Sequence, residues 1–166
     1  MANSSSSLFT TLLSRARLRH CASIGRDVQA LGNVWIHGEG RVHLGDRVVL
    51  DGRSAPIDLF ALPGSEILLG DDVLIESGTS FQSQTVIRIG ARVRIGRFCT
   101  LLDNHFHPVR GDRRAPTRSS FLVVEDDAVI CARATLLQGT VVERGAVVQT
   151  GMTVSRRVRA SPPCER

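Results

Sequence analysis

The chain has 166 residues, with 21 basic residues against 16 acidic ones; every basic residue is arginine, tyrosine is absent, and Trp35 is its one tryptophan. At this length one domain is the default, an apolar fraction of 42% argues against wholesale disorder, and no apolar run approaches the ~20 residues of a membrane span. Aromatics at 4% leave a core to be built from Val, Ile and Leu, a β-biased set.

In chain order, residues 1–22 stand apart. Four serines at 4–7 lead into an Arg-containing stretch, and the first acidic residue is Asp27. The composition faintly resembles a mitochondrial transit peptide. The plainer reading is a disordered lead followed by a short amphipathic helix, with Phe9, Leu12, Leu13 and Ala16 on one face and Leu18 opposite.

From Ile24 onward an internal period of six dominates. It runs through Ile24, Ala30, Ile36 and Val42, then Leu44 and Leu50. It continues with Leu69, Ile75, Phe81 and Ile87, and with Ile89, Ile95 and Leu101. The longest series is Val124, Ile130, Leu136, Val142, Val148 and Val154. Six residues fit no single α-helix face, since they advance the helix by about 600°. They suit very short strands with a turn after each, one aliphatic per strand pointing inward. The glycine that often follows, as at Gly25, Gly45, Gly70, Gly90 and Gly96, is expected to ease the turn. Three hexads close a coil, and stacked coils make a parallel β-helix over residues 23–166. The spacing from Ile89 to Val124, 35 residues, places one long excursion at about 104–121, where solenoids collect binding residues.

That excursion begins Asp103-Asn104-His105-Phe106-His107-Pro108 and carries Arg110, Arg113 and Arg114. Imidazole is the usual proton acceptor near neutral pH. A carboxylate or amide beside it can fix its tautomer, and arginines can hold an anionic or polyhydroxyl substrate.

On the hexads, this loop and the coils from Val124 to Val154, the chain resembles the hexapeptide-repeat acyltransferases, in particular the maltose, galactoside and polysaccharide O-acetyltransferases. The resemblance implies a left-handed β-helix, a homotrimer with active sites between subunits, and acetyl-CoA as donor. His107 matches the catalytic histidine and Asp103 the first acidic position of the loop, with His105 at the second. Asn104 and Arg113 or Arg114 fall on the acceptor side. Cys131, Gly151, Arg156 and Arg157 match positions along the donor. Val129, Cys131, Gln149 and Met152 depart from the residues usual there, which keeps a second reading open: a non-catalytic scaffold or binding subunit. The implied chemistry is direct attack of a sugar hydroxyl on the thioester, without an acyl-enzyme.

Other classes fit less well. A γ-carbonic-anhydrase-like zinc site needs three converging histidines, and neither the pair His105 and His107 nor the early His37 and His43 has the spacing, so no metal is expected. The arginines lack the interleaved aromatics of a nucleic-acid surface. Cys21, Cys99, Cys131 and Cys164 form no CxxC pair, so a reducing compartment, the cytoplasm, is expected.

Overall fold

The computed structural model describes residues 18–104 and 120–160. The expected N-terminal helix and the loop residues from His105 onward lie outside them. What is described is a stack of coils. The first comprises β1 (Ser23–Ile24) and β2 (Gln29–His37), the second β3 (Arg41–Leu44) and β4 (Val49–Ala61). The third comprises β5 (Glu66–Leu69), β6 (Leu74–Glu76) and β7 (Ser80–Ser83). The fourth comprises β8 (Val86–Ile89), β9 (Arg94–Ile95) and β10 (Thr100–Leu102). Then follow β11 (Leu122–Val124), β12 (Val129–Ile130) and β13 (Thr135–Leu136), and β14 (Val141–Val142), β15 (Val147–Val148) and β16 (Thr153–Val154). β17 (Arg157–Val158) begins a further coil.

Every strand pairing is parallel, and the strands line up as three faces. The first face is β1-β3-β5-β8-β11-β14-β17. The second carries β6, β9, β12 and β15, and the third β7, β10, β13 and β16. β2 and β4 turn from the second face into the third: residues 49–51 of β4 pair with β6, and residues 58–61 with β7. The hexad spacings reappear as register, Leu44 beside Leu69, Leu69 beside Ile89, Ile89 beside Val124 and Val124 beside Val142.

Two expectations need correction. Most faces of a coil send two side chains inward, not one. Val73 and Ile75, Val93 and Ile95, Ala128 and Ile130, and Ala146 and Val148 are all buried, as the two-residue alternation of a strand requires. The phase breaks of two arise on the first face: Val42 and Leu44 both point inward from β3, and Ile87 and Ile89 from β8. Ile24 is 37% exposed, and Leu18, the first described residue, is fully buried in the core; the helix face that Leu18 is expected to oppose lies outside the described residues.

The glycines after the aliphatics do not supply a left-handed turn. The positive φ falls two residues later, at Asp27, Arg47, Asp72, Arg92 and Asp127 (56–62°) and at Gly145 (68°). The glycines are required by close stacking: a Cβ on Gly70 would lie 2.8 Å from the carbonyl carbon of Gly90. This corner is stitched coil to coil by Arg47, Asp72, Arg92 and Asp127 N–H groups donating to the carbonyls of Arg26, Asp46, Asp71 and Ala91 at 2.7–2.9 Å. Its side chains donate the opposite way, from the earlier coil to the later, Arg47 to Asp72 at 2.7 Å and Arg92 to Asp127 at 2.6 Å.

Candidate active site on the third face

The excursion leaves the solenoid just after β10, at the corner between the third and first faces. Its root is rigid. Asp103 is fully buried, and its carboxylate accepts five hydrogen bonds. Oδ2 takes them from Ser83 Oγ (2.9 Å), Thr85 N (2.8 Å) and Thr85 Oγ1 (3.1 Å). Oδ1 takes them from Gln84 N (2.7 Å) and Asn104 Nδ2 (3.2 Å). With about four lone-pair directions on a carboxylate, Asp103 is saturated and acts as an anchor for the coil below and the loop. The Ser120 N–H donates to the Asp103 carbonyl at 3.1 Å and closes the neck. Asn104 is buried beside it.

His105, His107, Arg113 and Arg114 lie outside the described residues. The donor-side residues are described, and they fall on the two edges of the third face. Cys131 follows β12 at the corner of the second and third faces, and Gly151 stacks on that corner one coil later, its N–H donating to the Ala132 carbonyl at 3.0 Å. Arg156 follows β16 at the opposite corner, the one from which the excursion departs two coils earlier. Thus the loop root and Arg156 share one edge, and Cys131 and Gly151 the other. Arg157 stands on β17 with its Nη1 3.1 Å from Glu143 Oε1, so its charge is partly committed, while Arg156 is exposed.

Between these edges runs an outward column set by register: Trp35, Asp58, Ser80, Thr100, Thr135 and Thr153. Beside it run His37, Phe60, Gln82 and Leu102. No arginine stands at these outward positions, although Arg41, Arg88 and Arg157 stand on the first face and Arg94 on the second.

Several residues here carry no motif in the sequence. Ser83 and Thr85 hold Asp103 but are ordinary turn residues to the eye. Gln138 sits on the loop-root corner one coil further, its buried Oε1 without a hydrogen-bond partner, and the next residue, Gly139, donates its N–H to the Phe121 carbonyl at 3.2 Å. Burial disfavours the thiolate at two of the cysteines. Burial pushes Cys21 up to about 12 and raises Cys99, whose Sγ lies 3.2 Å from the Cys131 carbonyl. Among the described residues no group of three or more His, Cys, Asp or Glu is placed to hold a metal ion, and no helix is long and apolar enough to cross a membrane.

No family model matches the chain, and no curated protein matches it. Solved structures do. A hexapeptide-repeat-containing acetyltransferase of Vibrio cholerae O1 biovar eltor, complexed with acetyl coenzyme A, aligns over 86% of this chain at 18% identity and a TM-score of 0.56. The chain spans 64% of that protein's length, less than two thirds. AntD, an N-acyltransferase of Bacillus cereus in complex with dTDP and coenzyme A, aligns over 87% of this chain and 80% of its own at 12% identity, TM-score 0.63. The polySia-specific acetyltransferase NeuO aligns over 86% and 76% at 13% identity, TM-score 0.57. The fold is the hexapeptide-repeat β-helix. Identities this low establish the fold alone. On this β-helix, the candidate site is the third face with its two edges.

Proposed function

We propose that the protein is a CoA-dependent O-acyltransferase that moves an acetyl group from acetyl-CoA to a hydroxyl of a sugar or polysaccharide precursor. The carrying observation is that the anchored root of the histidine loop and the donor-side residues Cys131, Gly151 and Arg156 border one face of the β-helix. The solved neighbours of the same fold support the donor: two of them hold acetyl-CoA or CoA.

His107 is the general base. It takes the proton of the acceptor hydroxyl while the oxygen attacks the thioester carbonyl. The C–S bond breaks, and the proton returns from the imidazolium to the departing CoA thiolate. No acyl-enzyme forms. Backbone N–H groups stabilise the oxyanion, and holding both reactants on one surface supplies proximity. Asp103 positions the loop, His105 assists catalysis and Asn104 serves the acceptor. Arg113 and Arg114 contact the acceptor, and Arg156, with Arg157 adding field, pairs with the CoA phosphates. The active unit is a homotrimer with sites between subunits, working in the cytoplasm. The outward column of the second face, Val49, Leu74, Arg94, Val129 and Val147, is aliphatic except at Arg94 and supports contact between copies.

A panel of sugar acceptors with acetyl-CoA, read by free-thiol release, tests the reaction, and sedimentation tests the trimer. His107→Ala lowers acyl transfer by ~10²-fold or more with the circular dichroism spectrum unchanged; full activity in that variant moves the base elsewhere. One observation favours the non-catalytic reading: Gln149 and Met152 put exposed, bulky side chains beside Gly151 on the donor edge. Calorimetry with acetyl-CoA separates the two, since a scaffold gives no heat.

A further inference from the structure

The first two coils carry a side-chain cluster on the third face that the chemistry above does not use. Trp35 and His37 project outward from β2, and their register partners Asp58 and Phe60 project from β4. Trp35 is 57% exposed, although a ring of that size is normally buried at least in part. The His37 ring stacks on Phe60 with centroids 4.8 Å apart and planes 22° from parallel. His37 Nε2 is 2.6 Å from Asp58 Oδ1, which leaves Oδ2 open to a donor. Three aromatic rings and a carboxylate are thus held in a two-by-two array on a rigid sheet.

We propose that this array is a binding subsite for a neutral pyranose ring, and that the acceptor is an extended oligosaccharide lying along the third face. Aromatic faces pack against the apolar C–H faces of a sugar, and a carboxylate accepts from its hydroxyls. Ser80, Gln82 and Thr100 continue the two outward columns toward the loop root with further hydroxyl and amide groups. β2 and β10 are three strand spacings apart, roughly 14 Å, so a ring on Trp35 and a ring at the loop belong to one chain of several units. The absence of arginine from these outward positions, in a protein with 21 of them, opposes a phosphorylated or nucleic-acid ligand, which arginines would meet. The subsite deepens the acyltransferase reading and rests on it for the role of the bound glycan, while the binding itself is measured separately.

Because Trp35 is the single tryptophan, its emission reports this site alone. The full-length protein is titrated with maltohexaose and with N-acetylchitohexaose, and with glucose and N-acetylglucosamine as controls. The expected result is a saturable change in emission with a hexasaccharide, at least about tenfold tighter than with its monosaccharide, roughly 1.4 kcal/mol. Phe60→Ala and Asp58→Asn, which keep the reporter, each weaken binding by about tenfold while acetyl-CoA heat is unchanged. No emission change with either hexasaccharide, unweakened binding in both variants, or a change that follows protein concentration instead of glycan overturns the subsite. Acetyl-CoA heat is recorded on the same samples. A normal heat without a glycan signal sinks the subsite alone, and a glycan signal without heat sinks the acyltransferase reading alone.

Discussion

Asp103 shows how one residue sets the geometry of a loop. Its motif position is visible in the sequence, but its work is not: the five donors that reach it come from residues 83–85 of the coil below and from Asn104. Asp103→Ala leaves two backbone N–H groups without their acceptor and is expected to destabilise the fold by about 3 kcal/mol in chemical unfolding, the scale for charged hydrogen bonds. Acyl transfer should fall with it, because the loop loses its anchor. The thiols make a second test at this scale. With Cys21 pushed up to about 12 and Cys99 raised by burial, a thiol reagent at pH 8 should leave both unmodified in the native protein and modify them once it is unfolded.

At the scale of the element, the repeating corner between the first and second faces decides stability. Gly70→Ala forces a Cβ against the Gly90 backbone, and thermal unfolding should show a loss of about 1–3 kcal/mol, the cost of overpacking. Gly145→Asn is the contrast: nothing lies within 4 Å of its Cβ, and the equivalent positions of earlier coils already hold Asp and Arg at the same left-handed φ, so stability should change by less than about 0.5 kcal/mol. The corner also predicts an acid response. Hydrogen bonds from Arg26, Arg47 and Arg92 hold Asp46, Asp72 and Asp127 below the ordinary carboxylate value. A carboxyl with a lower folded than unfolded value contributes stability above the unfolded range and loses it as protons return. Stability should therefore be level above about pH 5 and fall as the pH drops through 4 and below. Salt at 1 M should flatten that fall, because these pairs are exposed. A stability that instead falls with rising pH contradicts this account.

For the molecule as a whole, the excursion is an addition to a finished coil. On the first face Leu69 pairs with Ile89, 20 residues on, while Ile89 pairs with Val124, 35 residues on. The second spacing exceeds the first by 15 residues, the length of 105–119. Joining Asn104 directly to Ser120 would recreate a corner of the same length as Ser83-Gln84-Thr85-Val86. The excised protein should keep its circular dichroism spectrum and unfold cooperatively, yet lose acyl transfer. Loss of folding would mean that the loop contributes to the solenoid itself.

The β-helix and its register were legible in the residues because a period of six can bury aliphatics only one way, and because stacked identical turns repeat the same contacts. The excursion was legible for the converse reason: it interrupts the period. The loop motif could be read as a candidate site because its histidines and arginines cluster on the one long break in the period; His105 and His107 themselves lie outside the described residues. The second inward side chain of most strands, the packing role of Gly45 and Gly70, and the burial of Leu18 emerged only from the three-dimensional stack. A one-dimensional period does not say which backbones touch. Nor does it say that Asp103, Cys131, Gly151 and Arg156 border the same face, or that Trp35 and Phe60, 25 residues apart, stand in adjacent strands of it. Those neighbours are set by coil length, and coil length is a property of the folded chain.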